Sequence, residues 1–172
     1  MALTSESFAP DTEVVFRDKT LRVMGRLHLE GASGQRSFRY LLSDGSAAPV
    51  LLEQVSGSRF SLLRPFPPAA RPRTVDNTIA VGTERYTLVG VRRLKVLETL
   101  GLAPASAARG ELIVSGMFEG LMGTLMREMV LGTDRQVYYL VRPVESGDVL
   151  SVEAYAAARA AASRAAGAAD DD

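Results

Sequence analysis

The side chains that could carry out chemistry are few and widely spaced in this sequence. His28 is the single histidine, and the chain contains no cysteine. These counts exclude a metal site with two imidazoles, a thiolate zinc site and a cysteine nucleophile. A pair of carboxylates could act as general acid and base, as in glycosidases, but scattered acids are more typical of the solvent-facing side of strands. The candidates for such a pair are Glu53, Glu111, Glu119, Glu128, Asp134 and Glu145.

His28 lies on the polar side of a run in which polar and apolar residues alternate. A lone histidine at such a position is predicted to be solvated and dispensable. We expect His28→Ala to change the free energy of unfolding by no more than about 0.5 kcal/mol. The sequence therefore predicts a protein that is not an enzyme, with no catalytic residue, no metal ligand and no cofactor.

The charge balance argues against a nucleic-acid partner. The chain has 20 Lys+Arg and 20 Asp+Glu, so its formal net charge is zero, whereas binding to phosphates requires a basic excess. Aromatic residues make up only 6% of the chain, so stacking platforms for single strands are poorly supplied. The residues that could still form a basic patch are Arg92, Arg93, Lys95, Arg135 and Arg142.

The sequence also predicts a cytoplasmic protein without a transmembrane segment. Every apolar stretch falls well short of the ~20 residues that a membrane-spanning helix needs. Met1–Pro10 lacks the basic start and the apolar run of a signal peptide.

Apolar residues recur at every second position over most of the chain, which predicts half-buried β-strands. From about Ser151 the chain becomes rich in alanine, with Glu153 in the first turn of a predicted helix. The predicted fold is therefore mainly β, with two small antiparallel barrel- or sandwich-like halves packed together, plus a C-terminal Ala-rich helix. The predicted segments are a flexible arm (1–12), a first β half (13–64), a Pro-rich connector (65–76), a second β half (77–152), the helix (153–167) and an acidic tail (168–172).

A weak internal repeat in the sequence supports the prediction of two similar β halves. We expect two of its glycines to occupy equivalent strand positions, each where a neighbouring element or a bend leaves no room for a side chain. A second likeness relates Gln136–Val141 to Ser37–Leu42. The aligned pairs, second half first, are Gly90 with Gly25, Leu88 with Val23 and Tyr86 with Leu21.

Two segments have alternative interpretations. The connector contains four prolines, which favour an extended surface connection but are also compatible with a polyproline ligand for a partner domain. The segment Leu121–Leu131 fits either a helix or a strand, and the glycines within and around it favour a strand.

The methionines of this region are the candidate interaction surface. Ordinary core filling is the commoner role of methionine, but its soft and adaptable side chain also suits docking surfaces. As a strand, 122–130 would place Met122 and Met126 on a partner-facing side, opposite Leu125 and Met129. The predicted interaction surface consists of Met117, Met122, Met126 and Met129.

Several phrases of the sequence resemble the bacterial domain-of-unknown-function family numbered four-one-seven-eight. That family carries V-x-G, then E-Y-x-L-x-D-x-x-G, then a W-L strand, and the likeness spans 16–155. The chain departs from the pattern because the tryptophans are missing and Arg39 replaces the acidic residue. A second family that the chain resembles is the YjfK-like family found beside PspA-like proteins. The matching phrases are Leu21–Leu27, Phe38–Gly45, Leu51–Glu53, Tyr86–Leu88, Gly110-Glu111 and Leu150–Glu153.

The resemblance implies an all-β, barrel-like pair of domains without a known reaction. It implies a non-enzymatic interaction or adaptor module, accessory to a PspA-like membrane-stress system. Its partners would be proteins, some of them membrane-associated, and its position would be peripheral at the inner membrane face. The alternative is a small-ligand binder, or a carboxylate-based enzyme, that uses a cleft between the two halves; a deep pocket with convergent polar groups would favour this alternative.

Overall fold

The computed structural model describes residues 7–46, 48–55, 59–102 and 107–169. Strands make up 61% of the chain, which confirms the mainly β prediction. The elements are β1 (Glu13–Phe16), β2 (Lys19–Gly31), β3 (Arg36–Ser43), β4 (Val50–Val55), β5 (Arg59–Pro65), β6 (Arg73–Val75), β7 (Thr78–Val81), β8 (Glu84–Gly101), β9 (Leu112–Gly120), β10 (Gly123–Val130), β11 (Gln136–Val144), β12 (Val149–Ser151) and α1 (Val152–Ala169).

Eight antiparallel strands close into a barrel. Their order is β2-β3-β4-β5-β11-β10-β9-β8, and β8 pairs with β2 to complete the circle. The first half of the chain supplies β2 to β5, and the second half supplies β8 to β11. The two halves therefore pack by sharing one barrel, with seams at β2–β8 and β5–β11.

The strand register confirms that the predicted glycine pair occupies equivalent positions. In β2 a β-bulge interrupts the pairing with β3 between Val23 and Gly25. In β8 a matching bulge interrupts the pairing with β9 between Leu88 and Gly90. Only one of the two positions is crowded, however. A Cβ on Gly25 would lie 1.8 Å from a backbone oxygen, whereas a Cβ on Gly90 would meet nothing within 4 Å.

The segments that lead into the two halves repeat the same backbone conformation. Asp11 and Asp76 both have positive φ, at 66° and 52°. The carbonyl of the next residue, Thr12 or Asn77, accepts a hydrogen bond at 2.9 or 2.8 Å from the strand residue that precedes each bulge. The chain is therefore built from two copies of one structural unit.

The second sequence likeness is wrong. Gln136–Val141 lies in β11, which pairs with β10 and closes a seam with β5. Ser37–Leu42 lies in β3, between β2 and β4. The equivalent of β11 in the repeat is β5, and the equivalent of β3 is β9. Short alternating strands resemble one another because they share only a period of two.

Each bulge exchanges the faces of its strand, since one extra residue shifts a period of two. Before the bulge in β2, Leu21 and Val23 point into a core outside the barrel. After it, Leu27 and Leu29 point into a different core, in the barrel interior. A single run of alternating residues thus contributes buried side chains to two different cores.

Each structural unit has its own outer core. The core on the first unit lies between β1, β12, the outer faces of β2 to β5 and the end of β11. In the second unit a smaller core lies between β7 and the outer faces of β8 to β10. Their buried members are Val14, Phe16, Leu21, Val23, Tyr40, Leu42, Leu52, Phe60, Val144 and Val149 in the first, and Ile79, Tyr86, Phe118 and Leu125 in the second.

Residues 7–12 of the predicted flexible arm are docked on the first unit. The ring of Phe8 lies 5.3 Å from Tyr40 in an edge-on contact and 6.3 Å from Phe60 in a stacked one. The Phe8 amide donates to the Tyr40 hydroxyl at 3.3 Å. These contacts arise because the outer face of β3 is too apolar to be left open. Residues 1–6 lie outside the described residues.

Arg17 and Asp18 form a tight turn between β1 and β2, with φ of 49° and 62°. Two local predictions are confirmed. Residues 123–130 form a strand, not a helix. The C-terminal helix begins at Val152, and the described side chains from 156 onward are exposed. The predicted connector also contains a short edge strand, β6.

Candidate functional site

A layer of charged side chains crosses the barrel interior. Arg39, on β3, is fully buried. Its Nε donates a hydrogen bond to Glu53 Oε2 at 2.7 Å, and its Nη1 and Nη2 donate to the two carboxylate oxygens of Glu128 at 2.5 Å each. Bidentate arginine–carboxylate pairs combine strength with fixed geometry. The layer therefore ties β3, β4 and β10 together from the inside.

The two glutamates occupy equivalent positions of the repeat. Glu53 pairs with Arg39 across β3 and β4, and Glu128 pairs with Ser115 across β9 and β10. Arg39 thus donates hydrogen bonds to both carboxylates. The position equivalent to Arg39 in the second unit is occupied by Ser115. Ser115 Oγ is buried and has no hydrogen-bond partner within the described part of the chain.

Arg92, on β8, connects this layer to the barrel mouth. Its Nη2 donates to Glu53 Oε1 at 3.1 Å, while 32% of its side chain remains exposed. Its Nε is buried without a partner among the described residues. The equivalent residue in the first unit is Leu27, two positions after the bulge glycine. An arginine here is therefore a departure from the repeat and is not required by the barrel fold.

A cleft of about 260 Å³ opens at this mouth, between the two halves. The first half contributes the β2–β3 turn and the ends of β3 and β4, and the second half contributes β8. The cleft is slightly smaller than the ~300–1,000 Å³ typical of small-molecule sites. Its lining consists of Gly31, Ala32, Ser33, Gln35, Ser37, Val55, Val91, Arg92, Arg93 and Leu94.

The electrostatics of the layer hold Glu53 in its charged form. Burial alone would raise the pKa of Glu53, but Arg39 and Arg92 outweigh burial and lower it. Burial alone would lower the pKa of Arg39, but Glu128 and Glu53 raise it above its ordinary value. A general acid must hold its proton at the working pH, and a carboxyl group with a lowered pKa does not. Two arginines and two glutamates make a balanced, charge-neutral layer.

The other predicted carboxylates lie away from this layer. Glu111 accepts a hydrogen bond from Arg135 at 2.7 Å on the surface. The remaining three are exposed. Of the six acids that the sequence offers as candidates, the structure therefore brings only Glu53 and Glu128 together. The three exposed acids are Glu119, Asp134 and Glu145.

His28 is not the solvated residue that the sequence predicts. Its ring is half-buried and stacks on Phe38, with the centroids 4.5 Å apart and the planes inclined by 17°. Its Nε2 is buried without a hydrogen-bond partner in the described residues. Burial, followed by the nearby Arg36 and Arg26, lowers the pKa of His28 below its ordinary value.

This lowered pKa predicts a pH dependence of stability. The unfolded chain binds a proton at His28 near pH 6.5, whereas the folded chain binds it only at lower pH. The free energy of unfolding should therefore fall as the pH drops through 6.5 toward the folded pKa. Because His28 is the single histidine, urea unfolding at pH 7.5 and 5.5 isolates its contribution. His28→Phe retains the stack and should show a smaller decrease; an equal decrease in both proteins would contradict the prediction.

The four methionines do not form one surface, so this part of the sequence prediction is wrong. Met126 is fully buried and Met117 is half-buried, and both face the barrel interior. Met122 is 69% exposed in the β9–β10 turn. Only Met129, half-buried, lies on the outer face of β10. The predicted facing of β10 is reversed, because the side with Met126 and Glu128 fills the barrel.

Apolar side chains are exposed on the outer face of the second unit instead. We call this surface the β8–β10 face; it consists of Val91, Leu112, Val114, Met129 and Leu131. Val91, Leu112 and Leu131 are 57%, 43% and 62% exposed. The register places Val114 beside Met129, and the Leu131 amide donates to the Leu112 carbonyl at 2.8 Å. The apolar side chains are therefore adjacent across β9 and the end of β10, and Val91 lies beside Gly116 at the neighbouring position on β8.

Two basic residues border the β8–β10 face. Arg93 and Lys95 are exposed, and the register sets them beside Val114 and Leu112. Neither forms an ion pair within the ranges that the structure describes. Of the five residues of the predicted basic patch, Arg92, Arg93 and Lys95 are therefore neighbours on β8.

No protein-family model, curated protein or solved structure matches this chain. Among the described residues, the structure contains no helix of sufficient length and apolarity to span a membrane. Inference about function therefore starts from the geometry of the chain itself.

Proposed function

We propose that the protein is a non-enzymatic interaction module that binds a protein partner through the β8–β10 face. The observation that carries the proposal is a difference between the two structural units. Three positions that are polar in the first unit are apolar and at least partly exposed in the second. The pairs, first unit before second, are Arg26 and Val91, Arg36 and Leu112, and Gln54 and Met129.

Folding alone does not require these apolar residues, since the first unit forms the same strands with polar ones. An exposed apolar group with a polar rim is typical of a docking surface. The rim is basic, through Arg93 and Lys95. The expected partner segment is therefore apolar with acidic residues at its margin.

The resemblance to families found beside PspA-like proteins supports an accessory role in membrane stress. In this proposal the protein acts at the inner membrane face by binding a membrane-associated protein rather than lipid. PspA-like proteins from the same cells are the first partners to test.

The proposal predicts that charge on the β8–β10 face removes partner binding. Leu131→Glu should weaken capture of the partner at least about tenfold, since burying a carboxylate in an interface is expensive. Leu121→Glu is the matched control, because Leu121 is also a turn leucine and is 98% exposed, but lies at the β9–β10 turn. Quantitative cross-linking in native cells, followed by binding assays with the purified partner, measures the effect. Equal capture by Leu131→Glu and the wild type, or equal loss in both variants, would overturn the proposal.

A further inference from the structure

The cleft at the barrel mouth is lined by basic residues, and partner binding does not explain their presence. Among the described residues that line it, the charged side chains are Arg92 and Arg93. No carboxylate belongs to that lining. Glu53 balances the charge of Arg92, so Arg93 supplies the positive charge of the cleft that no described ion pair balances, in a protein whose formal net charge is zero.

Arg92 is held in place for binding. Glu53, itself 4% exposed, accepts one hydrogen bond from Nη2 and anchors the side chain. This contact and a second one from Nη2 to Met126 Sδ at 3.5 Å occupy two of the five N–H donors of the guanidinium group, and the Nη1 donors have no partner among the described residues. An anchored arginine with free donors loses little conformational entropy when it binds an anion.

The repeat shows that these arginines are additions to the fold. Leu27 and His28 occupy the equivalent positions in the first unit, where Leu27 fills the core and His28 stacks on Phe38. In the second unit the corresponding residues, Arg92 and Arg93, line the cleft. The cleft also contains Ser37, a further hydroxyl donor.

We propose that this cleft binds a small oxyanion, with Arg92 as the primary ligand and Arg93 as the second. A carboxylate or phosphate oxygen accepts charge-assisted hydrogen bonds from guanidinium donors such as Arg92 Nη1. The volume limits the ligand to a small metabolite rather than a nucleotide or a peptide. Val91 and Arg93 line the cleft and also belong to or border the β8–β10 face, so the anion site adjoins the partner-binding surface.

Chemical-shift titrations of the backbone amides test the proposal, with acetate, citrate and inorganic phosphate as probes. Ionic strength is held constant with chloride, because screening alone alters surface charges. We expect saturable shifts in the β2–β3 turn and in β8 with at least one probe. The comparison of citrate with phosphate decides between a carboxylate and a phosphate ligand.

Arg92→Gln should weaken the apparent affinity at least about tenfold, the loss expected when a charged hydrogen bond is removed. Arg93→Gln should weaken it less, and does not disturb Glu53. Arg142→Gln is the control, because Arg142 is exposed on β11 away from the cleft lining. If Arg92→Gln fails to fold, Arg93→Gln decides the test. Absence of saturable shifts, or equal affinity in Arg93→Gln and Arg142→Gln, would overturn the proposal.

Discussion

Replacing Arg39 with methionine should remove most of the stability of this protein. The substitution leaves Glu128 buried with no described partner, while Glu53 keeps only Arg92. Breaking a buried ion pair by removing one member costs about 3–5 kcal/mol, and typical domains are stable by about 5–15 kcal/mol. Denaturant unfolding followed by circular dichroism measures the loss.

A second substitution identifies the cause. Arg39→Met combined with Glu128→Met removes the stranded carboxylate, so the double variant should be more stable than Arg39→Met alone. Arg22→Met is the matched control for an exposed pair, since Arg22 and Asp11 are 58% and 79% exposed at 2.7 Å. Its effect should stay within about 0.5 kcal/mol. A double variant less stable than the single one would show that burial of charge is not the cause.

The second large loss of stability is expected from substitution of Gly25, the glycine at the β2 bulge. Gly25→Ala places a Cβ 1.8 Å from the Leu102 backbone oxygen, and a backbone atom cannot move aside as a side chain can. We expect a loss of at least about 1–3 kcal/mol, the range for overpacked sites. Thermal and denaturant unfolding both measure it.

Gly90→Ala is the control that the chain itself offers. The position is equivalent in the repeat, the same bulge follows Leu88, and the new Cβ would have open space around it. Its stability should match the wild type or exceed it slightly, because alanine restricts the unfolded chain. Similar losses in the two variants would mean that the bulge, and not the contact with Leu102, demands glycine.

The sequence predicts the strands well because their alternation is a local property. The run from Leu21 to Leu29 is apolar at every second residue whether those residues face one core or two. The bulge at Met24 changes the face without breaking the apparent pattern. Which core each residue joins depends on pairing with distant strands, so periodicity alone does not determine it.

The charged layer was missed for a related reason. In the sequence Arg39 stands out only as a departure from a family pattern, and Glu53 and Glu128 resemble the scattered acids that are typical of the solvent-facing side of strands. A usable signal was present, because Glu53 follows Leu51 and Glu128 follows Met126 on the same side of each strand. A mid-strand charge in phase with apolar residues indicates a buried ion pair.

The seams of the barrel also constrain how the chain reaches its native state. During synthesis, β2 and β5 emerge with open edges, because their partners β8 and β11 belong to the second half. Such edges are templates for pairing with other chains. Neither half completes the barrel alone, so we expect the protein to fold in one cooperative step. Many of its contacts join residues far apart in sequence, which makes that step slow. Until β8 and β11 are synthesised, the nascent chain depends on protection from self-association.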